Sequence, residues 1–328
     1  MVRCVVVETE KIEETRRYLA SKNLIDDRWK IETSNSNGYI PVVEDAELSD
    51  YKTANRKLDE RENYETVSEI LGYNPTYEWL GDIILLKEDD KIDKIVNAFN
   101  RSKHEPRSIL RKCSDIKGEE RTRDWEIVFG SETETIHKEN GYEYLVDVTE
   151  AYFSPRLATD RRRVCSQIQE HDKVIDMFAG VGPYAIPSAD RGATVVASDI
   201  NPSAIDYLRR NAERNDVADN IKALNVDARE LVNDYKNYAD VIIMNLPHST
   251  SQFMETAVHL LADDGRIVYY GFLSNDKNAE DLERYLRDNT EGDLTDDMVV
   301  DELERVRPYA PDVDNIRADI RVHTTKQI

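Results

Sequence analysis

The sequence predicts an α/β protein, with a C-terminal doubly wound nucleotide-binding domain that follows two smaller α/β or α+β domains. From Ala151 onward, apolar runs typical of strands alternate with helical segments. The first of these runs, residues 173–175, leads into a turn with Gly180 and Gly182, and a helical pattern begins at Tyr184. Strand, glycine turn and helix form the first crossover of such a sheet, because glycine lets the backbone turn tightly beside a ligand.

The 328 residues are long enough for several domains. We expect a small N-terminal domain over residues 1–55, a linker and middle domain over residues 56–148, and the nucleotide-binding domain over residues 149–328. The N-terminal domain contains an amphipathic helical pattern over residues 10–22.

The middle domain mixes strand and helix patterns. Residues 82–86 are strand-like, residues 91–100 are helical, and residues 125–129 and 142–148 are predicted to pair as strands. At the other end of the chain, residues 298–305 and 316–323 are expected to form a closing antiparallel hairpin, with Pro308 and Pro311 between its strands.

Polar residues follow the strands of the predicted sheet. Asp199 ends the second strand, where a carboxylate can accept hydrogen bonds from a ribose diol. Asp227 follows the third strand and suits an adenine amino group, and Asn245 with Pro247 follows the fourth. Each carboxylate alone is also compatible with a helix N-cap or a solvated turn. Their recurrence at successive strand ends favours a binding site.

The glycine turn separates two cofactor classes. A ribose-binding Asp199 suits both a nicotinamide dinucleotide and S-adenosylmethionine. The stretch from Gly180 through Gly182 to Pro183 lacks the third glycine of the dinucleotide fingerprint. The turn therefore favours S-adenosylmethionine.

The chain carries a formal net charge of −22, from 66 acidic and 44 basic side chains. An RNA-binding protein normally presents basic surface to phosphates. Acidity spread along the whole chain instead suits a protein that works in concentrated salt, where charges are screened. We expect any RNA site to be a local basic island, and the candidate comprises Arg101, Lys103, His104, Arg107, Arg111, Lys112, Arg121 and Arg123.

Other bulk features favour a cytoplasmic protein without a membrane span. No run of eighteen apolar residues exists, and the N-terminus lacks the layout of a signal peptide. The three cysteines, Cys4, Cys113 and Cys165, are scattered and show no metal-ligand spacing.

With these residues in place, the chain resembles the archaeal and eukaryotic type of tRNA (guanine-37-N1)-methyltransferase, essentially from end to end. The segments that carry the resemblance are residues 118–130, 133–141, 152–161 and 245–249. The resemblance implies a class I, Rossmann-like methyltransferase domain, an N-terminal domain that senses the outer corner of tRNA, and a middle RNA-binding domain. It also implies methyl transfer from S-adenosylmethionine to N1 of guanosine 37.

Such a reaction needs a base to remove the N1 proton and donors to stabilise charge on O6. The resemblance assigns the base to Asp160, where the family has the longer glutamate. That carboxylate is short by roughly 1.5 Å, the length of a carbon–carbon bond. A small backbone shift or a bridging water would restore contact, and a helix N-cap is the structural alternative for Asp160. Arg121 matches the catalytic arginine, and Asn245 is expected to hold the base edge.

The remaining expectations complete the site. The cofactor-binding set is Tyr152, Arg156, Asp176, Phe178, Gly180, Gly182, Pro183, Asp199, Ile200, Asp227, Ala228, Asn245 and Pro247. The RNA-binding set is Arg121, Arg123, Arg161 and His248, directed at the anticodon loop and outer corner of tRNA. We expect a monomer with no protein-bound metal, and a requirement for Mg²⁺ in proton removal stays open.

Three alternatives are left open. An aminocarboxypropyl transferase of wyosine synthesis, or a methyltransferase that also acts on a wyosine intermediate, shares the fold and the cofactor. A nicotinamide dehydrogenase would use Asp199 for its ribose. A non-catalytic RNA-binding module with a decayed site would explain the shorter Asp160.

Overall fold

The computed structural model describes residues 1–34, 36–61, 65–87, 91–103, 105–114, 123–289 and 298–322. Their packing divides the chain into two units. The first comprises residues 1–74 and 97–105, and the second comprises residues 75–96 and 106–328. The division into three domains at residues 55 and 148 stays a prediction.

The first unit is built on a four-stranded antiparallel sheet in the order β2-β3-β1-β4. The strands are β1 (Val2–Glu8), β2 (Glu32–Ser34), β3 (Asn37–Pro41) and β4 (Thr53–Arg56). Helix α1 (Ile12–Ser21) follows a short 3-10 turn and buries Leu19 in a core with Val5 and Ile40. The amphipathic pattern over residues 10–22 therefore forms the predicted helix.

Helix α2 (Val67–Leu71) has a capping box, in which Thr66 and Glu69 satisfy each other's backbone N–H groups. Gly72 ends it in the left-handed conformation. Helix α3 (Ile92–Arg101) agrees with the helical pattern over residues 91–100.

The second unit contains a four-stranded sheet in the order β5-β6-β7-β8 and a separate two-stranded ribbon of β9 and β10. The strands are β5 (Tyr77–Leu80), β6 (Ile83–Leu86), β7 (Ser108–Lys112), β8 (Trp125–Phe129), β9 (Glu134–Glu139) and β10 (Tyr142–Asp147). The predicted pairing of residues 125–129 with 142–148 is wrong, since β8 pairs with β7 and β10 pairs with β9. The reason is the Asn140-Gly141 turn, whose positive φ angles of 52° and 96° close a two-residue hairpin.

A seven-stranded sheet forms the rest of the second unit, in the order β13-β12-β11-β14-β15-β17-β16. Its strands are β11 (Lys173–Asp176), β12 (Thr194–Asp199), β13 (Ile221–Asn225), β14 (Ala239–Met244), β15 (Leu261–Ser274), β16 (Met298–Ala310) and β17 (Val313–Val322). The first five are parallel, and β17 runs antiparallel to both of its neighbours. This is the predicted α/β fold with a parallel-rich, doubly wound sheet.

Helices cover both faces of this sheet, and two buried clusters form its cores. The helices are α4 (Ala158–Ser166), α5 (Ala185–Asp190), α6 (Pro202–Arg214), α7 (Val232–Tyr235), α8 (Met254–Leu260) and α9 (Ala279–Asn289). The chain leaves β11 toward β12 and β13, then returns to β14 on the other side of β11. A crevice is therefore expected at the carboxyl ends of β11 and β14, where the strand order reverses.

The closing hairpin is confirmed, but its strands are longer than predicted. Pro308 lies inside β16 rather than in the turn, because β16 is the edge strand and one of its sides needs no backbone donor. Among the helices that the structure describes, none is long and apolar enough to span a membrane.

Candidate active site

Three of the predicted polar residues share one face of the sheet at its carboxyl edge. Val174 and Ala197 belong to the first buried cluster, and side chains alternate between faces along a strand. Asp176 and Asp199, two residues further on, therefore project to that same face. Asn245 follows Met244 of the second cluster and alternates onto the first face as well. The sheet thus brings together residues that are far apart in sequence.

The glycine turn connects β11 to α5 and depends on its glycines. Gly180 and Gly182 have φ angles of 53° and 95°, which disfavour any side chain. A Cβ on Gly182 would lie 3.1 Å from Ile186 Cδ1, whereas a Cβ on Gly180 would face open space, with the Tyr152 carbonyl 3.8 Å away. Space is therefore kept free beside Gly180 and next to Tyr152.

Asp199 is anchored to this turn. Its Oδ2 accepts a hydrogen bond from Gly180 N–H at 2.7 Å, and its Oδ1 accepts one from Asn201 N–H at 2.9 Å. The N-cap of α6 is Asn201, not Asp199, so the capping alternative does not hold at this strand end.

Asp176 is fully buried, and among the described residues neither of its carboxylate oxygens has a hydrogen-bond partner. Burial raises the pKa of Asp176 to about 8, opposed by the nearby Phe178 N–H group and assisted by the charge of Asp199. A buried polar group without a partner is costly, so a carboxyl in this state marks a place for a cationic or hydrogen-bonding ligand group.

The carboxyl end of β13 has a different organisation. Asp227 caps a short 3-10 turn by accepting from Arg229 N–H, and it also pairs with the Arg229 guanidinium at 2.9 Å. This is the N-cap alternative, although the side chain remains partly exposed. Arg229 in turn covers the Phe253 ring, which packs edge-on against Phe178.

The other predicted cofactor residues line the same strand ends or lie nearby in sequence. Ile200 is an exposed apolar side chain directly after Asp199, and Ala228 is buried beside Asp227. Tyr152, Pro183 and Pro247 are partly exposed. Arg156 is engaged elsewhere, since it forms an ion pair with Glu78.

Asp160 lies in the first turn of α4, whose N-cap is Leu157, so the N-cap alternative for Asp160 is wrong. The residue is 9% exposed. Its Oδ2 accepts from the Tyr270 hydroxyl at 2.5 Å, and its Oδ1 accepts from Arg317 Nη1 at 2.9 Å. The Tyr184 hydroxyl donates to that of Tyr270 at 2.9 Å. A buried chain of polar groups therefore connects Asp160 to the residue that follows the glycine turn.

This network lies level with the carboxyl ends of the parallel strands. Tyr269 of β15 pairs with Met244, the last residue of β14, so Tyr270 is level with Asn245. Tyr270 belongs to the first buried cluster and thus to the face of Asp176 and Asp199. Asp160 and Asn245 consequently lie on the same face and at the same edge of the sheet.

Arg317 is the main site residue that sequence reasoning missed. It is 0% exposed on β17, and it faces Asp160, Glu302 and Asp319 at 2.9, 3.2 and 3.6 Å. Burial opposes its charge, but the carboxylates outweigh that effect and raise the pKa of Arg317. Alternation along residues 316–322 puts Arg317 on the face opposite to the apolar residues Ile316, Ala318 and Ile320, so the sequence alone does not predict that Arg317 is buried. Nothing in the sequence indicates its partner 157 residues away.

The predicted RNA-binding residues are not all available for RNA. Arg161 is buried and makes a bidentate ion pair with Glu139, at 2.7 and 2.5 Å, so it does not present a free cation to phosphates. This corrects the prediction for Arg161. Arg123 lies over the Trp125 ring and His248 is exposed. Arg121 lies outside the described residues, as does His104.

Two arginines of the basic island in the second unit are neutralised by carboxylates. Arg107 pairs with Asp82 and Glu132, and Arg111 pairs with Glu126. A cleft of about 630 Å³ is lined by Arg107, Trp79, Ile136 and His137 among others, and its lining includes none of the predicted catalytic or cofactor-binding residues. Within the described ranges, no cluster of three or more His, Cys, Asp or Glu residues could hold a metal ion.

Comparisons with known proteins agree with this architecture. Residues 135–293 match a family model described as the TRM5/TYW2 methyltransferase domain, and residues 4–50 match one described as the tRNA methyltransferase 5 N-terminal domain. The tRNA (guanine(37)-N(1))-methyltransferase Trm5b of Pyrococcus abyssi is 35% identical, over 98% of this chain and 99% of its own length.

A second group of relatives is shorter. The tRNA(Phe) (4-demethylwyosine(37)-C(7)) aminocarboxypropyltransferase of Methanocaldococcus jannaschii is 31% identical, over 75% of this chain and 97% of its own length.

Among solved structures, Trm5b from Pyrococcus abyssi gives a TM-score of 0.69 at 32% identity, over 99% of this chain and 100% of that one. A complex of aTrm5 with tRNALeu gives a TM-score of 0.71 at 29% identity, over 98% of this chain and 99% of that one.

Proposed function

The chain belongs to the tRNA (guanine-37-N1)-methyltransferase family, and we propose that it transfers a methyl group from S-adenosylmethionine to N1 of guanosine 37 in tRNA. One observation carries the choice within the family. The Pyrococcus abyssi relative named for this reaction aligns with 98% of the chain, whereas the Methanocaldococcus jannaschii aminocarboxypropyltransferase aligns with only 75% of it. The N-terminal match over residues 4–50 belongs to the methyltransferase type.

The strand ends fit the proposed cofactor. In this proposal the Asp199 carboxylate accepts from the ribose diol, Ile200 offers apolar surface to the adenine, and Asp227 accepts from the adenine amino group in addition to its contacts with Arg229. The buried, unpartnered Asp176 fits the α-ammonium group of the methionine part. The open space beside Gly180 and Tyr152 leaves room for the ligand chain. When bound, the cofactor supplies an electrophilic methyl group on a sulfonium.

Asp160 is the proposed general base. The N1–H proton would pass to a carboxylate oxygen of Asp160, directly after a small backbone shift or through a bridging water. The electron pair left on N1 would form the bond to the methyl carbon, and the electrons of the broken carbon–sulfur bond would stay on sulfur. Arg317 and Tyr270 hold that carboxylate at its two oxygens and fix its orientation. Asn245 would hold the base edge, and Arg121 would stabilise charge on O6.

The finer expectations remain part of the proposal. We take tRNA, through its anticodon loop and outer corner, as the partner, with Arg123 and His248 as contacts in the described part of the chain. We also propose a cytoplasmic monomer in a salt-rich host.

The test uses an unmodified tRNA transcript with guanosine 37 and cofactor labelled either at the methyl carbon or at the carboxyl carbon. We expect methyl label in the RNA and N1-methylguanosine in its nucleoside digest. Carboxyl label in a second tRNA, which carries 4-demethylwyosine at position 37, would identify aminocarboxypropyl transfer instead. A transcript with adenosine 37 serves as the control and should take up neither label.

A further inference from the structure

Three aromatic rings form a cluster at the carboxyl edge of the large sheet, which we call the aromatic shelf: His248, Phe272 and Tyr309. The Phe272 and Tyr309 centroids are 4.0 Å apart with their planes at 34°. The His248 ring is 4.7 Å from Phe272 and 5.7 Å from Tyr309. Each ring therefore contacts both others, so the shelf is one surface rather than three separate side chains.

The shelf adjoins the proposed active site. His248 lies in the loop after β14, three residues beyond Asn245. Phe272 lies on β15 two residues beyond Tyr270, whose hydroxyl contacts Asp160. Tyr309 lies at the end of β16, where a bulge between Pro308 and Ala310 breaks the pairing with β17. Bulges commonly re-aim a side chain, which here leaves Tyr309 outside the regular strand alternation.

The shelf is open to solvent. Tyr309 is 53% exposed, His248 is exposed and Phe272 is partly exposed. The two buried clusters of the sheet include none of the three. Core packing therefore does not account for an arrangement that keeps three rings together at the surface.

We propose that the aromatic shelf binds, by stacking, the base of a nucleotide that flanks the methylated guanosine. This inference rests on the proposed function. Eversion of the target base removes its stacking on both neighbours, and aromatic side chains recover such stacking in single-stranded RNA. Every base has a π-face, so the contact would not depend on base identity.

A cation for the adjoining phosphate lies close in sequence. Arg307 is two residues before Tyr309 on β16 and is partly exposed. Within the described part of the chain it has no carboxylate partner, unlike Arg305, which pairs with Asp314. A ring platform with an uncompensated guanidinium on the same strand suits a nucleotide better than an apolar partner.

The experiment combines a protein variant with an altered RNA. Tyr309→Ala should lower kcat/KM for tRNA about tenfold, the scale of losing one stacked base, and should do so through KM. Tyr309→Phe should retain most of the activity because it keeps the ring. Tyr285→Ala is the matched control, since Tyr285 has a similar exposure of 48% but lies on α9 outside the shelf.

The RNA arm replaces, in turn, each nucleotide that flanks guanosine 37 with an abasic residue. At the position that uses the shelf, the abasic RNA should slow wild-type protein about as much as Tyr309→Ala does, and it should slow the variant little further. The proposal would be overturned if, at both flanking positions, the loss caused by the abasic residue and the loss caused by Tyr309→Ala were additive. Equal losses for Tyr309→Ala and Tyr309→Phe would overturn it as well.

A binding measurement separates this inference from the proposed reaction. An anticodon stem-loop with 2-aminopurine in place of a flanking base should lose fluorescence on binding wild-type protein and lose less on binding Tyr309→Ala. That result would support the shelf even if the tRNA were not methylated. Methylation with equal quenching by both proteins, at both flanking positions, would instead refute the shelf and leave the reaction intact.

Discussion

At the residue scale, Asp160 combines two demands that usually exclude each other. A general base needs access to its substrate, whereas this carboxylate is held in the interior by Arg317 and Tyr270. The ion pair compensates its charge and the hydroxyl fixes its rotamer, which is what a positioned base requires. The same contacts would also suit a purely structural carboxylate.

Asp160→Asn distinguishes these roles. If Asp160 is the base, turnover should fall by roughly 10²-fold or more, the scale of lost general-base catalysis, while affinity for S-adenosylhomocysteine stays unchanged by calorimetry. The control is Asp319→Asn, which removes another buried carboxylate that faces Arg317. That control should lower stability but leave turnover within a few-fold of wild type. Equal loss of turnover in both variants would assign Asp160 to the ion-pair network alone.

The raised pKa of Asp176 leads us to expect that the free energy of unfolding depends on pH. Its folded-state pKa of about 8 lies above the ordinary value of 3.8, so between these limits the folded protein holds a proton that the unfolded chain has released. The free energy of unfolding should therefore fall as pH rises from about 4 to about 8. Asp176→Asn should flatten this part of the profile, measured by denaturant unfolding without ligand.

The same residue should couple proton release to ligand binding. An ammonium group placed beside Asp176 favours the charged carboxylate, so binding of S-adenosylhomocysteine at pH 7 should release a proton. Binding enthalpy measured in buffers of different ionisation enthalpy should then differ for wild type and agree for Asp176→Asn. Buffer-independent enthalpy in wild type would remove Asp176 from the cofactor site.

At the element scale, the β11–α5 turn depends on left-handed glycine conformations. Gly182→Ala introduces backbone strain and brings a Cβ to 3.1 Å from Ile186, so we expect a loss of roughly 1–3 kcal/mol in stability and weaker cofactor binding. Gly141→Ala is a close control, because its φ is 96° against 95° for Gly182 and a Cβ there meets open space. Both variants carry the strain, and only Gly182→Ala should lose affinity for S-adenosylhomocysteine.

The elements show which features of the fold are predictable from local sequence. The turn after β11 and the strand-end Asp199 carry their own signals, since glycine spacing and a carboxylate after an apolar run have direct structural meanings. The pairing of β8 was mispredicted because strand partners depend on contacts across the chain. The Asn140-Gly141 turn was the one local signal that would have corrected it.

The residues of the site divide in the same way, into those that local sequence predicts and those that depend on contacts across the chain. Residues at parallel strand ends converge because the topology requires it, so Asp176, Asp199 and Asn245 were predictable together. The contact between Asp160 and Arg317 was not, because it joins α4 to a strand 157 residues later. Arg161 was misassigned for a related reason, since only the folded chain brings Glu139 beside it and buries the pair.

At the scale of the whole molecule, the net charge of −22 predicts how stability depends on salt. Self-repulsion destabilises the compact state, and screening shortens its range from about 10 Å at 0.1 M ionic strength to about 3 Å at 1 M. The melting temperature at pH 7 should therefore rise as KCl increases from 0.1 to 2 M. Near the sequence pI of 4.7 the net charge vanishes, and the dependence on KCl should vanish with it. An equal rise at both pH values would show that KCl acts by a route other than charge screening, and would remove the physical basis for a salt-rich host.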